Sequence, residues 1–318
     1  MCTRVFEKQP VWDQIAALNP DYLVLLGDSI YIDINVEVAP SDPSEMDEVT
    51  FGQHVFSLYT ELIHQPQFSN LVKKMPAGRV FSIWDDHDFL WNDMYGASAE
   101  GKPIQREKVR ITTAFQKAFR SALAQSFAEN SFPNSYDDSV FWDQGEPPLA
   151  TPSIELGEDV WLHLCDARSF RTSKNFVAKD KRTILGSVQR QKVEAAVTAA
   201  VKAAPNSVHL IASGSTLASW NKYPQDMQWL LQLASANRLM VLSGDIHKNH
   251  RDLFQTAGLP LHELTSSGAA IRSLVVIGDE QQNFGYIDID ASKIDARFFH
   301  FGQRQTALDR TYDRGSWA

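Results

Sequence analysis

Four short clusters hold most of the chemistry-bearing side chains: Gly27-Asp28-Ser29-Ile30-Tyr31, Trp84-Asp85-Asp86-His87-Asp88, Asp166-Ala167-Arg168-Ser169-Phe170-Arg171 and Gly244-Asp245-Ile246-His247. Oxygen and imidazole donors brought together from separate segments suit a pair of metal ions, which can acidify water and offset charge on a phosphoryl oxygen. Asp28 can bridge two ions, and Tyr31 can turn back to one of them; a phenolate favours a hard trivalent ion such as Fe(III). The second cluster is the densest. Three carboxylates beside an imidazole repel one another unless a cation offsets them, and the apolar neighbours Phe81, Ile83, Trp84, Phe89, Leu90 and Trp91 predict partial burial. The simplest division makes Asp86 a ligand and His87 the acid that protonates a leaving oxygen. Asp88 would then orient His87, as carboxylates do for working histidines. Asp245 and His247 fall on one face of an extended segment and form a ready ligand pair. Arg168 offers a planar fork for phosphate oxygens, with Arg171 as a second contact; the competing reading is an internal Asp–Arg ion pair that fixes the loop.

An apolar run precedes each cluster, at residues 22–26, 80–84, 160–165 and 239–243. Nearly continuous apolar runs are expected of strands covered on both faces, and ligands in layered α/β proteins gather at the carboxyl ends of strands. Helical patterns cover 11–19, 53–64, 103–128, 187–203 and 224–235, with Asn19-Pro20-Asp21 stopping the first, because proline disfavours helix in the residue before it. Further strands are predicted at 208–213, 261–266, 273–278, 285–289 and 296–301. The alternation argues for α/β layers; the strand-rich tail argues for a mixed sheet or two stacked sheets. Residues 39–48 read as an exposed loop near the first cluster, solvated or part of a substrate rim. Ser213-Gly214-Ser215 can meet the site, but no histidine follows at a useful distance for a serine hydrolase. Residues 263–268 form a turn nearby, and His250 and His262 read as structural.

Composition narrows the classes. A chain of 318 residues with 43% apolar and 22% charged residues has the balance of a globular protein with a large core. With a net charge of −9 and no basic run longer than two residues, no nucleic-acid surface is evident. A small phosphate ester stays compatible, because a metal pair supplies local positive charge. Two cysteines, Cys2 and Cys165, exclude a disulfide framework but allow one bridge. No apolar run reaches the roughly 20 residues of a membrane span, and the first residues lack the pattern of a secretory signal. The expectation is a single domain over 1–318, cytoplasmic as written; nothing in the chain specifies an oligomeric state. No nucleotide-binding glycine motif is present.

The four clusters, in this order, resemble those of the PhoD-like alkaline phosphatases of the calcineurin-like metallophosphoesterase superfamily. The resemblance runs from Cys2 to about Ser267. It implies a four-layer αββα sandwich of two mixed β-sheets flanked by helices, with the metals at one sheet edge and no accessory N-terminal domain here. It implies that Asp28 bridges the metals, that Tyr31 and His247 face an iron-like site, and that Asp86 and Asp245 face a second, divalent ion (Ca, Mn, Zn or Co). His87 would be the general acid and Arg168 a phosphate contact. Relatives often carry a Ser-Cys pair after a first strand, with the Cys on iron; Met1-Cys2-Thr3 stands at that place, which makes Cys2 a candidate ligand at a frayed terminus without that strand. Many relatives are exported. The implied activity is hydrolysis of phosphate monoesters or diesters by a metal-bound hydroxide, with the chain's acidity leaning towards diesters. The alternatives are a metallohydrolase for a non-phosphorus substrate and a decayed, metal-binding member.

Overall fold

The computed structural model describes residues 1–33, 42–99, 103–142, 151–157, 159–272 and 280–317. The largest element is a six-stranded sheet, ordered β3-β4-β5-β6-β8-β7. Its members are β3 (Ser153–Gly157), β4 (Val160–Leu164), β5 (Val208–Ser213), β6 (Arg238–Ser243), β7 (His250–Phe254) and β8 (Leu261–Thr265). β4, β5, β6 and β8 run parallel, while β3 and β7 close the edges antiparallel. All six residues of β5 are buried, as a central parallel strand requires.

A second layer packs on one face of this sheet and consists of two pieces. One is the parallel pair β1 (Leu23–Leu26) and β2 (Val80–Ile83). The other is antiparallel, with β11 (Asn283–Ile289), β12 (Lys293–His300), β13 (Gln303–Arg304) and β14 (Arg310–Asp313). A short ladder of β9 (Ile271–Arg272) and β10 (Glu280–Gln281) lies between β8 and β11 in the chain. Leu162, Leu210, Leu242 and Leu264 meet Leu26 and Ile83 from one piece and Ile294, Ala296 and Phe298 from the other. Each fully buried leucine contributes roughly 1.5–3 kcal/mol.

Helices cover both outer faces. α7 (Gly186–Ala203), α8 (Leu217–Trp220) and α9 (Pro224–Ala236) lie on the six-stranded sheet, through Val193, Val197 and Leu230 against Ile211 and Val241. α1 (Val11–Ala17), α2 (Glu48–His64), α3 (Pro66–Lys74) and α6 (Pro103–Ala124) cover the other side, with Phe51, Val55, Phe115 and Phe119 packed around Leu23, Leu25 and Val80. The two short helices α4 (Asp86–Phe89) and α5 (Gly96–Ala99) follow β2. The result is the expected αββα sandwich of two mixed sheets.

The local expectations hold with informative differences. α2 starts at Glu48, capped by Asp47, whose side chain accepts from Thr50 N–H at 2.9 Å, so the predicted loop 39–48 ends one residue earlier. Its residues 39–41, and the predicted strand 273–278, lie outside the described residues. The edge strands β3 and β7 carried no strong apolar pattern, while α3 presents Phe68, Leu71 and Val72 on one buried face, a helical spacing that the sequence reading passed over. Cys2 and Cys165 are both free and buried, so no bridge joins them.

Within the six-stranded sheet a polar chain crosses the buried layer: Ser153 Oγ to His163 Nδ1 at 2.7 Å, His163 Nε2 to His209 Nδ1 at 3.1 Å, and His209 Nε2 to Ser207 Oγ at 3.1 Å. Burial holds both imidazoles neutral, pushing His163 down to about 3 and His209 down to about 4. Their folded pKa values lie below the unfolded one of about 6.5, so the unfolded chain takes up protons first and stability falls as pH drops below about 6.5. Urea unfolding at pH 6.5 and 5.5 should therefore show a loss about 2 kcal/mol larger for this chain than for a His163→Asn/His209→Asn double variant.

Candidate metal centre at the sheet edge

Loops after β1, β2, β4, β5 and β6 converge at the carboxyl ends of their strands. Gly27 has φ +83°, and a Cβ there would meet Asp85 Cβ at 2.7 Å and Asp85 N at 2.8 Å. Only glycine lets the turn after β1 press on the turn after β2. A Cβ on Gly214, after β5, would meet Asp85 Cγ at 2.6 Å. Asp85 is thus enclosed from two sides, and its carboxylate is bound by Arg168 Nε. Arg168 Nη2 lies 3.0 Å from Asp86 Oδ1 and donates to Ser215 Oγ at 3.3 Å. Its contact with Asp86 Oδ1 is an ion pair without hydrogen-bond alignment, so that oxygen has no hydrogen-bond partner. The internal Asp–Arg pair is real, but the acids are Asp85 and Asp86; Asp166 instead caps its own turn, accepting from the N–H groups of Arg168 and Ser169 at 2.9 Å.

Asp88 is fully buried and joins two loops: Oδ1 accepts from Ser29 N–H at 2.8 Å and Ile30 N–H at 3.1 Å, and Oδ2 from Asp85 N–H at 3.1 Å. The expectation that it orients His87 is corrected. His87 Nδ1 pairs with Asp33 Oδ1 at 2.6 Å, and Asp33 Oδ2 is itself held by Asn92 N–H at 2.9 Å. The one-turn helix α4 directs the Asp88 side chain back to the cap while His87 leans on Tyr31, ring centroids 4.2 Å apart. Asp33 lies just beyond the first cluster; a partner 54 residues from His87 leaves no signal in spacing.

The remaining donors meet across the β1 and β6 loops. Tyr31 Oη lies 3.2 Å from His247 Nε2 and 3.4 Å from Asp28 Oδ2, and Cys2 Sγ lies 3.3 Å from the same oxygen. Cys2 is not frayed: it is fully buried, and flanking backbone bonds tie Thr3 to Asp28 and Arg4 to Ala270. Asp245 and His247 do meet the site, but not from an extended segment. Their φ values are +73° and +56°, in a turn that Ser267 Oγ holds by accepting from His247 N–H at 2.9 Å. Asp28 and Cys2 also have positive φ, +51° and +52°. Left-handed backbone costs roughly 1–2 kcal/mol for a residue with a Cβ, less for Asp, and such strain concentrates at functional sites.

Arg171 does not open to the pocket. Its Nε donates to Ala167 O at 2.9 Å and Nη2 to Ser215 Oγ at 2.7 Å, while Tyr223 and Tyr95 flank its guanidinium. His250 pairs with Asp252 on β7, and His262 contacts Trp317; neither joins the cluster. Glu263 supports the loops from behind, its Oε1 accepting from Leu217 N–H at 2.8 Å and Ser243 Oγ at 2.7 Å.

The charge balance is severe. Burial first, then neighbouring carboxylates, raises the Asp28 carboxyl; the same causes push Asp245 up to about 7. Burial and then the His87 charge hold His247 down at about 4. At His87 burial is the largest single effect and lowers the pKa. The Asp33 hydrogen bond and the carboxylates of Asp28, Asp33 and Asp86 outweigh it and raise it to about 10. Asp28 Oδ1, Asp85 Oδ2 and Asp86 Oδ1 are buried without hydrogen-bond partners. Ligand atoms of Asp28, Asp86 and His87 lie within 4.8 Å of one another, and so do those of Asp85, Asp86 and Asp245. The unpartnered carboxylate oxygens of Asp28, Asp85 and Asp86 within these two groups fit cations.

A two-sheet αββα sandwich with buried carboxylates and imidazoles gathered at its sheet edge has the architecture of a metallophosphoesterase-type sandwich. The family model described as PhoD-like phosphatase matches residues 5–270, and the chain belongs to that family. The solved structure of PhoD aligns with a TM-score of 0.65 at 13% identity, covering 99% of this chain and 69% of that one; at this identity the likeness is one of fold. No curated protein matches the chain significantly. Among the described residues no helix is long and apolar enough to cross a membrane.

Asp88→Asn tests the loop-joining role. The amide keeps one acceptor but turns N–H against N–H at Asp85, so urea unfolding should show a loss of about 1–3 kcal/mol.

Proposed function

We propose that the chain hydrolyses phosphate esters at a dinuclear metal site, and the observation that carries this reading is the buried oxygens of Asp28 and Asp86 left without hydrogen-bond partners beside Asp245 and His247. Asp28 is the natural bridge, since Cys2 and Tyr31 approach one of its oxygens and the other has no hydrogen-bond partner. Cys2, Tyr31 and His247 would hold an ion on one side with sulfur, phenolate and imidazole donors, a set suited to iron. Asp86 and Asp245 would hold a divalent ion such as Ca, Mn, Zn or Co with oxygen alone. When bound, such ions neutralise phosphoryl charge and acidify a water.

The chain's own residues supply positioning and a proton. Asp33 occupies Nδ1 of His87, which leaves Nε2 as the nitrogen that carries the proton to a leaving oxygen. Asp33 also favours the protonated imidazole, so the acid is charged at neutral pH. Arg168 is fixed by Asp85 and Asp86, and its Nη1 has no hydrogen-bond partner. That NH₂ group is the part of the guanidinium that remains for a substrate oxygen. With Arg171 held by Ala167 and Ser215, few cationic groups are left to meet a dianion. A diester, with one charge fewer, suits this pocket better than a monoester.

Elemental analysis of purified protein, alongside hydrolysis of p-nitrophenyl phosphate and bis-p-nitrophenyl phosphate, tests the reading. About two ions per chain and turnover that chelator abolishes and metal restores are expected, with the diester preferred; metal-replete protein without turnover of either ester sinks it. Asp28→Asn and Asp245→Asn should lose metal and rate together. His87→Ala should keep metal and lose about 10²–10⁴-fold in rate on a poor leaving group. Asp33→Ala should lose about 10–100-fold and shift the alkaline limb of the pH–rate profile to lower pH, because the imidazolium loses its partner.

A further inference from the structure

One stretch of the chain reverses its overall charge. Between residues 170 and 190 lie six basic residues and one acid, Asp180, in a chain with 30 basic and 39 acidic residues. Two of the six are committed elsewhere: Arg171 is buried, and Arg190 Nε lies 3.8 Å from Asp226 Oδ1. Lys174 Nζ lies 3.4 Å from Asp93 Oδ2, and Asp93 in turn gives its N–H to Asp86 at the candidate centre. Lys179 and Lys181 are exposed, and among the described residues neither they nor Arg182 make an ion pair.

These cations sit on a closed surface loop, of the kind whose ends meet and whose interior packs on itself. Thr172 N–H donates to Thr183 O at 2.9 Å, and Thr183 N–H to Thr172 Oγ1 at 3.0 Å. Inside the loop Ser173 Oγ accepts from Asn175 N–H at 3.2 Å and Phe176 N–H at 3.3 Å, and Arg182 Nε donates to Val177 O at 2.9 Å. The backbone around Phe176 is thus held, yet its side chain is 92% exposed. No other large hydrophobic residue among those described exceeds 63%, the value at Val188, in the first turn of α7 just past the loop. Phe170, also exposed, precedes the loop and packs beside Gly186, where a Cβ would meet its own Cβ at 3.3 Å. Exposed apolar side chains and unpaired cations therefore share one segment, rooted at the wall of the candidate centre.

We infer that the loop Thr172–Thr183 docks the protein on an anionic phospholipid surface, with Phe176 entering the headgroup layer and Lys179, Lys181 and Arg182 meeting lipid phosphates. Basic segments are drawn to anionic leaflets within a screening length, about 10 Å at 0.1 M salt. The loop's local charge, rather than the chain's net −9, is therefore what such a surface meets. An exposed aromatic ring between lysines has the amphipathic character that lodges at the boundary of headgroups and acyl chains. Protein interfaces deplete lysine at their centre, and single-stranded nucleic acid is tracked by a charged groove with successive stacking rings; a lone ring on a closed loop among lysines matches neither. The proposal rests on exposure and charge and stands whether or not the hydrolase reading does. Because the loop follows Arg171 directly, docking holds the candidate centre close to the headgroups.

The test is co-sedimentation of the full chain with vesicles of phosphatidylcholine alone, or of phosphatidylcholine and phosphatidylglycerol in equal parts. Binding to the mixed vesicles only, weakened by added salt, is expected. Lys179→Ser/Lys181→Ser should weaken it about 25-fold, at about fivefold per charge, and Phe176→Ser at least about threefold. Lys73→Ser/Lys74→Ser, an exposed pair on α3 outside the loop, should leave it within about twofold. The inference is overturned if the chain ignores mixed vesicles, or if the α3 pair matters as much as the loop pair. A second readout needs no comparison of affinities. Phe176→Cys labelled with an environment-sensitive fluorophore, Cys2 and Cys165 being buried, should shift its emission to the blue on mixed vesicles. Sedimentation without that shift assigns binding to another face and overturns the inference. Loop-dependent binding of single-stranded DNA by a chain that ignores vesicles also overturns it, in favour of a nucleic-acid surface.

Discussion

Buried negative charge is the constraint around which the sheet edge is built. Asp28, Asp85, Asp86 and Asp88 are buried within two adjoining loops, and Asp245 approaches from a third. The chain answers this charge in three ways. Asp88 is satisfied by backbone N–H groups, Asp85 by the Arg168 guanidinium, and His87 becomes a cation through Asp33. What these devices leave over is specific: one oxygen each of Asp28, Asp85 and Asp86 without a hydrogen-bond partner. A buried unpaired carboxylate is expensive, and a divalent or trivalent cation offsets several at once. Cations bound there would relieve this repulsion, and their binding would then be coupled to folding of the edge.

Backbone strain gathers at the same edge. Cys2, Asp28, Asp245 and His247 come from three separate segments, yet all four adopt left-handed φ. Asp28, Asp245 and His247 fold their side chains back across the ends of β1 and β6 instead of continuing along them. Gly27 and Gly214 remove the side-chain bulk that would keep these turns apart, and Asp85 fills the space they leave. Within the site, the left-handed residues Asp28, Asp245 and His247 lie just past the ends of β1 and β6.

This division explains what could be read from the amino-acid order. The runs 22–26, 80–84, 160–165 and 239–243 became β1, β2, β4 and β6 with edges within a residue or two, because strands buried on both faces leave an unbroken apolar signature. The edge strand β7, His250–Phe254, is largely exposed and carries His, Arg and Asp, so no such signature exists. At the site, residue types and clustering identified the donors that converge. Pair assignments inside the clusters were less legible. Asp88 is adjacent to His87 in the chain, yet a single turn of helix points the two side chains apart, and Asp33 reaches the imidazole through the fold. The shared face of Asp245 and His247 assumed extended backbone; they converge through paired left-handed turns instead.

Asp33 and Asp88 also separate two kinds of carboxylate that sequence treats alike. Asp88 accepts only from backbone amides of the loops it joins, so its contribution is to hold the β1 and β2 turns in register. Asp33 is half committed to backbone, through Asn92 N–H, and half to an imidazole whose protonation it favours. Asn92 follows α4, so the same short helix that carries Asp86 and His87 also anchors the carboxylate that governs His87. Asp93, the next residue, donates its N–H to Asp86 Oδ2 at 2.5 Å. Asp86, His87 and Asp33 are thus tied to one turn of chain.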